Sequence, residues 1–149
     1  MGLYCSHDAF RGAYSAFNRF RQAIARAAGG SYPPHYLYTA SGETAIGSDG
    51  VLVRDETMDE GRFYVADEMT YETHPGLWEF FTHSDCDGDI PPDLCAKLAD
   101  EMEALLPKID AQGVGDGHIA RDGGFGSVAR RFIAGCRDAA AAGEPLEFR

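Results

Sequence analysis

The chain reads as an α+β fold, or a small α/β one: three main helices packed on a small sheet, with a β-containing insertion. Three observations predict it. Apolar residues recur at three- and four-residue steps in three separate stretches, the period of helices with one buried face. Short apolar or aromatic runs at residues 2–5 and 77–82 have the length and composition of buried strands. Between the first helical stretch and the second run, residues 31–76 are dense in turn signals. A length of 149 residues with 44% hydrophobic content suits a single domain over 1–149, with 31–76 as the insertion.

The elements follow in order. Gly2-Leu3-Tyr4-Cys5 forms the first strand. Ser6-His7-Asp8 comes next, and Asp8 is placed to cap a helix whose stripe is Phe10, Ala13, Tyr14, Phe17, Phe20, Ile24 and Ala27. Gly29-Gly30 ends that helix. In the insertion, Tyr32-Pro33-Pro34, Ser48-Asp49-Gly50 and His74-Pro75-Gly76 mark turns, and 51–53 with 62–65 read as a hairpin. A structureless loop of this length is unusual inside a domain, so a small β element is expected there. Residues 77–82, Leu-Trp-Glu-Phe-Phe-Thr, read as the second main strand and run into His83-Ser84-Asp85-Cys86-Asp87-Gly88-Asp89-Ile90.

Pro91-Pro92 opens the second helix, where proline is tolerated in the first turn. Its stripe is Leu94, Leu98, Met102, Leu105 and Ile109, and Pro107 ends or kinks it at Leu106. A glycine-rich loop fills 111–126. The last helix covers 127–142 with Ser127 as cap, buries Val128, Phe132, Ile133, Cys136 and Ala140, and stops at Gly143 and Pro145. Residues 146–148 read as a short edge strand. There is no internal repeat and no coiled-coil pattern.

Charge narrows the function classes. The net charge is −11. Residues 43–103 hold 17 acidic and 3 basic residues, which leaves 7 acidic and 10 basic residues elsewhere. Arg11, Arg19, Arg21 and Arg26 fall in 10–28, a stretch without an acid. Arg121, Arg130, Arg131 and Arg137 fall in 121–137, against Asp122. The total argues against bulk nucleic-acid or anionic-membrane binding. The arginine-bearing helices either pair with the acidic midsection or line a pocket for a small anion. No stretch reaches the apolar length of a membrane span. The first residues lack the basic start and apolar run of a secretion signal, and the four cysteines show no CxxC spacing. A cytoplasmic, reducing setting is therefore expected.

Two His/Asp constellations carry the strongest chemical signal. Both sit where an expected strand hands over to a helix: Ser6-His7-Asp8, and His83-Ser84-Asp85-Cys86-Asp87. If the strands are parallel neighbours, His7, Asp8, His83, Asp85 and Asp87 converge on one mouth, where α/β folds favour ligands. Imidazoles with carboxylates suit a divalent metal, with His83, Asp85 and Asp87 as ligand candidates. They equally suit a histidine base oriented by a carboxylate, with His7, His83 and Asp85 as catalytic candidates. The plainer alternative is a helix cap, a turn and loop histidines. The segment 83–90 looks like part of a calcium loop, but the match fails at both ends, because His83 holds the first ligand position and Leu94 the twelfth, where a bidentate glutamate is needed. Cys86, flanked by Asp85 and Asp87, is a poor nucleophile, and the other cysteines read as buried small residues.

The loop Arg121-Asp122-Gly123-Gly124-Phe125-Gly126-Ser127 leads into a helix start, with Arg130 and Arg131 following. Such a start can receive an anion, although the spacing matches no phosphate-loop or dinucleotide fingerprint. An ordinary connection capped by Ser127 is the alternative. Tyr32, His35, Tyr36 and Tyr38 cluster beside prolines, where Tyr36 can stack a base or where the group packs in the core or against a second copy.

Gly2-Leu3-Tyr4 through Ser6-His7-Asp8, Gly12-Ala13-Tyr14-Ser15-Ala16-Phe17, His83 to Gly88 with Ile90-Pro91-Pro92, Arg131-Phe132-Ile133-Ala134-Gly135 and Gly143-Glu144-Pro145 resemble an uncharacterised family of small proteins. That family is encoded by actinobacteria and the phages that infect them. Eleven arginines against two lysines accord with a GC-rich source. The resemblance implies a source and supplies no catalytic residues.

The leading expectation is a non-enzymatic phage or prophage accessory protein in the host cytoplasm. It would sequester a small polar, nucleotide-derived ligand to counter host defence, and oligomerise. His7, Asp8, His83, Asp85, Asp87, Tyr36, Arg130 and Arg131 are the candidate ligand-binding residues. One alternative is a metal-dependent hydrolase built on the two His/Asp segments. Another is an acidic inhibitor whose midsection engages a basic host protein.

Overall fold

The first helix is shorter than its stripe suggests, and the reason lies in its opening residues. In the computed structural model, Gly2–Cys5 (β1) turns back at Ser6–Asp8 and pairs antiparallel with Phe10–Ala13 (β2), Cys5 opposite Phe10 and Gly2 opposite Ala13. The helix Tyr14–Ala27 (α1) starts only after this hairpin, and Ala13 rather than Asp8 holds its N-cap position. Phe10 and Ala13 satisfy a helical stripe, but Phe10 is buried from a strand. The structure describes residues 2–33, 35–39, 42–46, 52–53, 63–115 and 117–149, the three stretches between 35 and 53 by backbone alone.

Within 31–76, His35–Thr39 (β3), Gly42–Ile46 (β4) and Leu52–Val53 (β5) form an antiparallel ribbon in chain order. Val53 lies opposite Ala45, and residues 51 and 62 of the hairpin expected between 51–53 and 62–65 lie outside the described residues. Tyr64 bridges to Ser31, with N–H to O distances of 2.9 and 3.0 Å. Pro75–Thr82 (α2) is a helix and not a strand. Pro75 begins it, and the Glu101 carboxylate accepts from the Gly76 and Leu77 amides at 3.2 Å each, which satisfies two of the donors a helix start leaves open.

Asp89–Ile90 (β6) leads into Pro92–Ala104 (α3). The chain breaks at Leu105 and continues as Leu106–Asp110 (α4), with Pro107 in the first turn. The short helix Gly117–Arg121 (α5) interrupts the glycine-rich loop, and Phe125–Ala142 (α6) is the longest helix at 18 residues. Gly124 is its N-cap position and no side chain caps it, so Ser127 sits inside the helix. Gly143, at φ 66°, ends it. The described residues therefore carry six helices and small antiparallel sheets, the α+β class.

Leu146–Glu147 (β7) is not an edge strand. Ile90 pairs with Leu146, and Phe148 donates to the Gly88 carbonyl at 2.9 Å. On its other side, Glu147 N–H meets Ser6 Oγ at 2.8 Å, Cys5 bridges Phe148, and Tyr4 and Arg149 exchange two bonds of 2.9 Å. Amides alternate sides along a strand, so the tail joins β1 to β6. The resulting order is β2, β1, tail, β6, all antiparallel neighbours.

The core lies between this sheet and the helices. Phe17 and Phe20 of α1, Phe80 of α2 and Phe132 of α6 are fully buried. Their rings meet edge-on, with centroids 5.2 Å apart for Phe80–Phe132 and 5.6 Å for both Phe20–Phe80 and Phe20–Phe132. Gly135 of α6 receives the β1–β2 turn: a Cβ on it would lie 2.4 Å from that of Ala9. No helix of the described residues is long and apolar enough to cross a membrane.

Candidate functional site

The turn after β1 is unusual for its residues. Ala9 N–H donates to the Ser6 carbonyl at 3.2 Å, and both central residues, His7 and Asp8, have φ of 55°. Positive φ at both positions is the mirror-image turn that suits a two-residue hairpin and normally takes Asn-Gly. Histidine and aspartate tolerate this region better than most residues with a side chain, still at about 1 kcal/mol each. Side chains fasten the turn to α6. Arg131 donates from Nε to the Asp8 carbonyl oxygen at 2.8 Å and from Nη2 to the Asp8 carboxylate. His7 Nε2 lies 3.3 Å from Glu144 Oε2.

The second constellation is a closed loop between α2 and β6. His83 follows the last turn of α2, and its ring nitrogens face backbone carbonyls: Nδ1 is 2.7 Å from Ser84 O, and Nε2 is 3.0 Å from Asp89 O. Its ring packs on Phe148, centroids 4.2 Å apart. Both nitrogens thus point at carbonyls, and in the neutral ring only one of them donates. Ser84 Oγ accepts from the Cys86 amide at 3.2 Å. Among the described residues, no three His, Cys, Asp or Glu side chains are grouped as a metal ion requires.

The two constellations do not share a mouth. They belong to no pair of parallel neighbouring strands, since 77–82 is helical and the tail separates β1 from β6. Register places both Ser6 and Asp89 across from Glu147. His7 and Asp8 thus leave the sheet at the end where β6 runs on to Pro91. Asp85 and Asp87 precede β6, at the other end.

The arginines divide between pairing and a cleft. Arg130 donates two bonds of 2.8 Å to the Asp110 carboxylate, which holds that carboxyl below its ordinary range and raises the guanidinium. Asp110 also lies over the start of α6: a Cβ on Gly126 would fall 1.9 Å from Asp110 Oδ1. Arg137 donates to Glu103 at 2.7 Å and to Asp100 at 3.4 Å, and lowers the Glu103 pKa. Arg137 thus meets the acidic midsection, as the intramolecular reading expects, whereas the carboxylate that Arg130 meets lies outside it. Tyr36 occupies β3 opposite Ala45, and its side chain lies outside the described residues. Tyr32 is structural: its hydroxyl donates to Phe81 O at 3.2 Å and receives Arg21 Nη1 at 3.0 Å.

Arg131 is different, because it also lines a cleft of about 100 Å³ between β2 and the first turns of α6. Arg11, Asp122 and Ser127 share the lining, with Phe10 and Val128 as apolar walls. The α6 start carries no acid in its first turn and no side-chain cap. Arg11 lies over the Tyr4 ring, 5.1 Å from its centroid. Sequence reasoning named Arg131 as a ligand candidate, placed Arg11 only among the arginines of a helix, and took Ser127 for a cap. An alternating reading of 10–13 would have exposed Arg11 as a strand residue turned away from buried Phe10. Comparison with family models, curated proteins and solved structures returns no match, so geometry alone bears on function.

Proposed function

We propose that the protein is a binding protein that takes a small anionic group into the cleft between β2 and α6. One observation carries this reading: Arg11 and Arg131, on separate elements, line the same cleft beside Ser127 and an uncapped helix start. Guanidinium groups and a hydroxyl are donors that hold carboxylates and phosphates. Pockets that enclose drug-sized ligands run from about 300 Å³ upward. The cleft's roughly 100 Å³ therefore suits an anionic group and not a whole nucleotide. If the ligand is nucleotide-derived, as expected of an accessory protein that sequesters a host signal, its phosphate is the part held here.

Among the described residues no geometry supports the hydrolase alternative, because the His83 nitrogens face carbonyls and the two His/Asp segments lie apart. The test is a melting-temperature panel of inorganic phosphate, small carboxylates and nucleotides. At ten times Kd a ligand stabilises by about 1.4 kcal/mol, or about 3–6 °C for a domain of this size. Arg11→Ala should abolish the shift while leaving the unliganded melting temperature within about 2 °C. A flat panel overturns the proposal.

A further inference from the structure

We infer that the occupant of this cleft is a small zwitterion of amino-acid size, its anionic end on Arg11 and Arg131 and its ammonium on Asp122. The inference rests on the anion-binding reading above and deepens it. Charges of both signs line the same small space, yet no ion pair joins Asp122 to Arg11 or to Arg131. Arg131 takes its carboxylate from Asp8, and Arg11 lies on the Tyr4 ring. The Asp122 carboxylate makes no ion pair or side-chain hydrogen bond among the described residues. Elsewhere in the chain, guanidinium and carboxylate groups that meet do pair, as in Arg130–Asp110 and Arg137–Glu103.

Separated opposite charges across a cleft have a specific consequence. For a simple anion, Asp122 is a like charge that weakens binding. For a zwitterion it becomes the second point of attachment, and it discriminates against ligands that lack a cation. Phe10 and Val128 leave an apolar wall for a short aliphatic side chain. The volume of about 100 Å³ admits a molecule of that size.

Calorimetric titration of the intact protein with L-alanine, with L-lactate and with inorganic phosphate tests this. Lactate replaces the ammonium by a hydroxyl and keeps the carboxylate and methyl. Alanine should bind at least about tenfold more tightly than lactate, a difference of about 1.4 kcal/mol. Asp122→Asn should weaken alanine binding and, by removing a like charge, tighten lactate binding, so that the two affinities converge. Equal binding of alanine and lactate, or binding of phosphate alone, overturns the zwitterion and leaves the anion site standing. Binding of none of the three overturns both.

Discussion

The Arg21 guanidinium of α1 donates from Nη1 to the Tyr32 hydroxyl at 3.0 Å while only 5% of the residue is exposed. No carboxylate among the described residues pairs with it. Its charge lies over ring faces, 4.6 Å from the Phe17 centroid and 5.7 Å from that of Phe80. Nη2 reaches the His83 carbonyl at 2.5 Å, so one side chain ties α1 to the end of α2 and to the loop that docks the C-terminal strand. Nε is buried without an acceptor among the described residues.

Arg21→Ala should therefore destabilise by about 2–4 kcal/mol, through a cavity among the rings and a His83 carbonyl left without its donor. Arg21→Met keeps most of the volume and removes the buried charge, so it should recover about half of that loss. Urea unfolding of both variants measures the pair. Equal losses in the two would show that the hydrogen bonds, and not the packing, dominate.

Close approach at Gly135 gives a second prediction. A Cβ there would lie 2.7 Å from the Ala9 Cα as well as 2.4 Å from its Cβ. Gly135→Ala must push the hairpin turn off α6, an overpacking worth about 1–3 kcal/mol even after the gain in helix propensity. Ala9→Gly removes one of the two clashing atoms, so the double variant should be more stable than the sum of the single changes implies. Additivity in that cycle would contradict the contact.

How far the fold was legible depends on the range of the interactions that set it. α3 and α6 carry a clean helical period, with Pro92 at one start and Gly143 at one stop, and local sequence suffices there. The run 77–82 is six residues long, where an apolar stretch reads as strand or helix alike, and Pro75 just before it was the deciding signal. The β1–β2 hairpin was hidden because His7-Asp8 fills a turn that usually announces itself as Asn-Gly. Pairing of Tyr4 with Arg149 joins the two ends of the chain, and no local pattern encodes it. The same holds for the cleft. Arg131 was visible from its loop, but its partnership with Arg11 exists only once 10–13 is a strand.

Carboxylates make the acid response predictable. Asp110 and Glu103 are held below their ordinary range by Arg130 and Arg137. A carboxyl depressed in the folded state contributes stability that is present above its unfolded pKa and lost as pH falls through the folded one. Glu101 has the opposite sign, because burial against the α2 start raises its pKa. Its ionised form weakens the fold as pH rises from the ordinary carboxylate value through the raised one. The melting temperature of Asp110→Asn should thus depend less on pH on the acid side, and Glu101→Gln should flatten the decline above the ordinary glutamate range. Parallel profiles for wild type and both variants would show that neither group is linked to folding.

Replacing the turn residues separates backbone strain from side-chain pairing. Asp8 is 76% exposed at its side chain, so its pair with Arg131 is worth at most about 1 kcal/mol. The positive φ it adopts costs about the same, and Asp8→Gly should leave stability within about 0.5 kcal/mol of wild type. His7→Asn keeps a residue well suited to that conformation and gives up only the contact with Glu144, so it should stabilise by a few tenths of a kcal/mol. Function should respond differently. Asp8 competes with any bound anion for the Arg131 guanidinium, so Asp8→Gly should tighten the binding of small anions in the cleft, whereas His7→Asn should leave it unchanged. Weaker anion binding in Asp8→Gly would show instead that Asp8 positions Arg131 for the ligand, and equal effects in both variants would locate the change in the turn backbone.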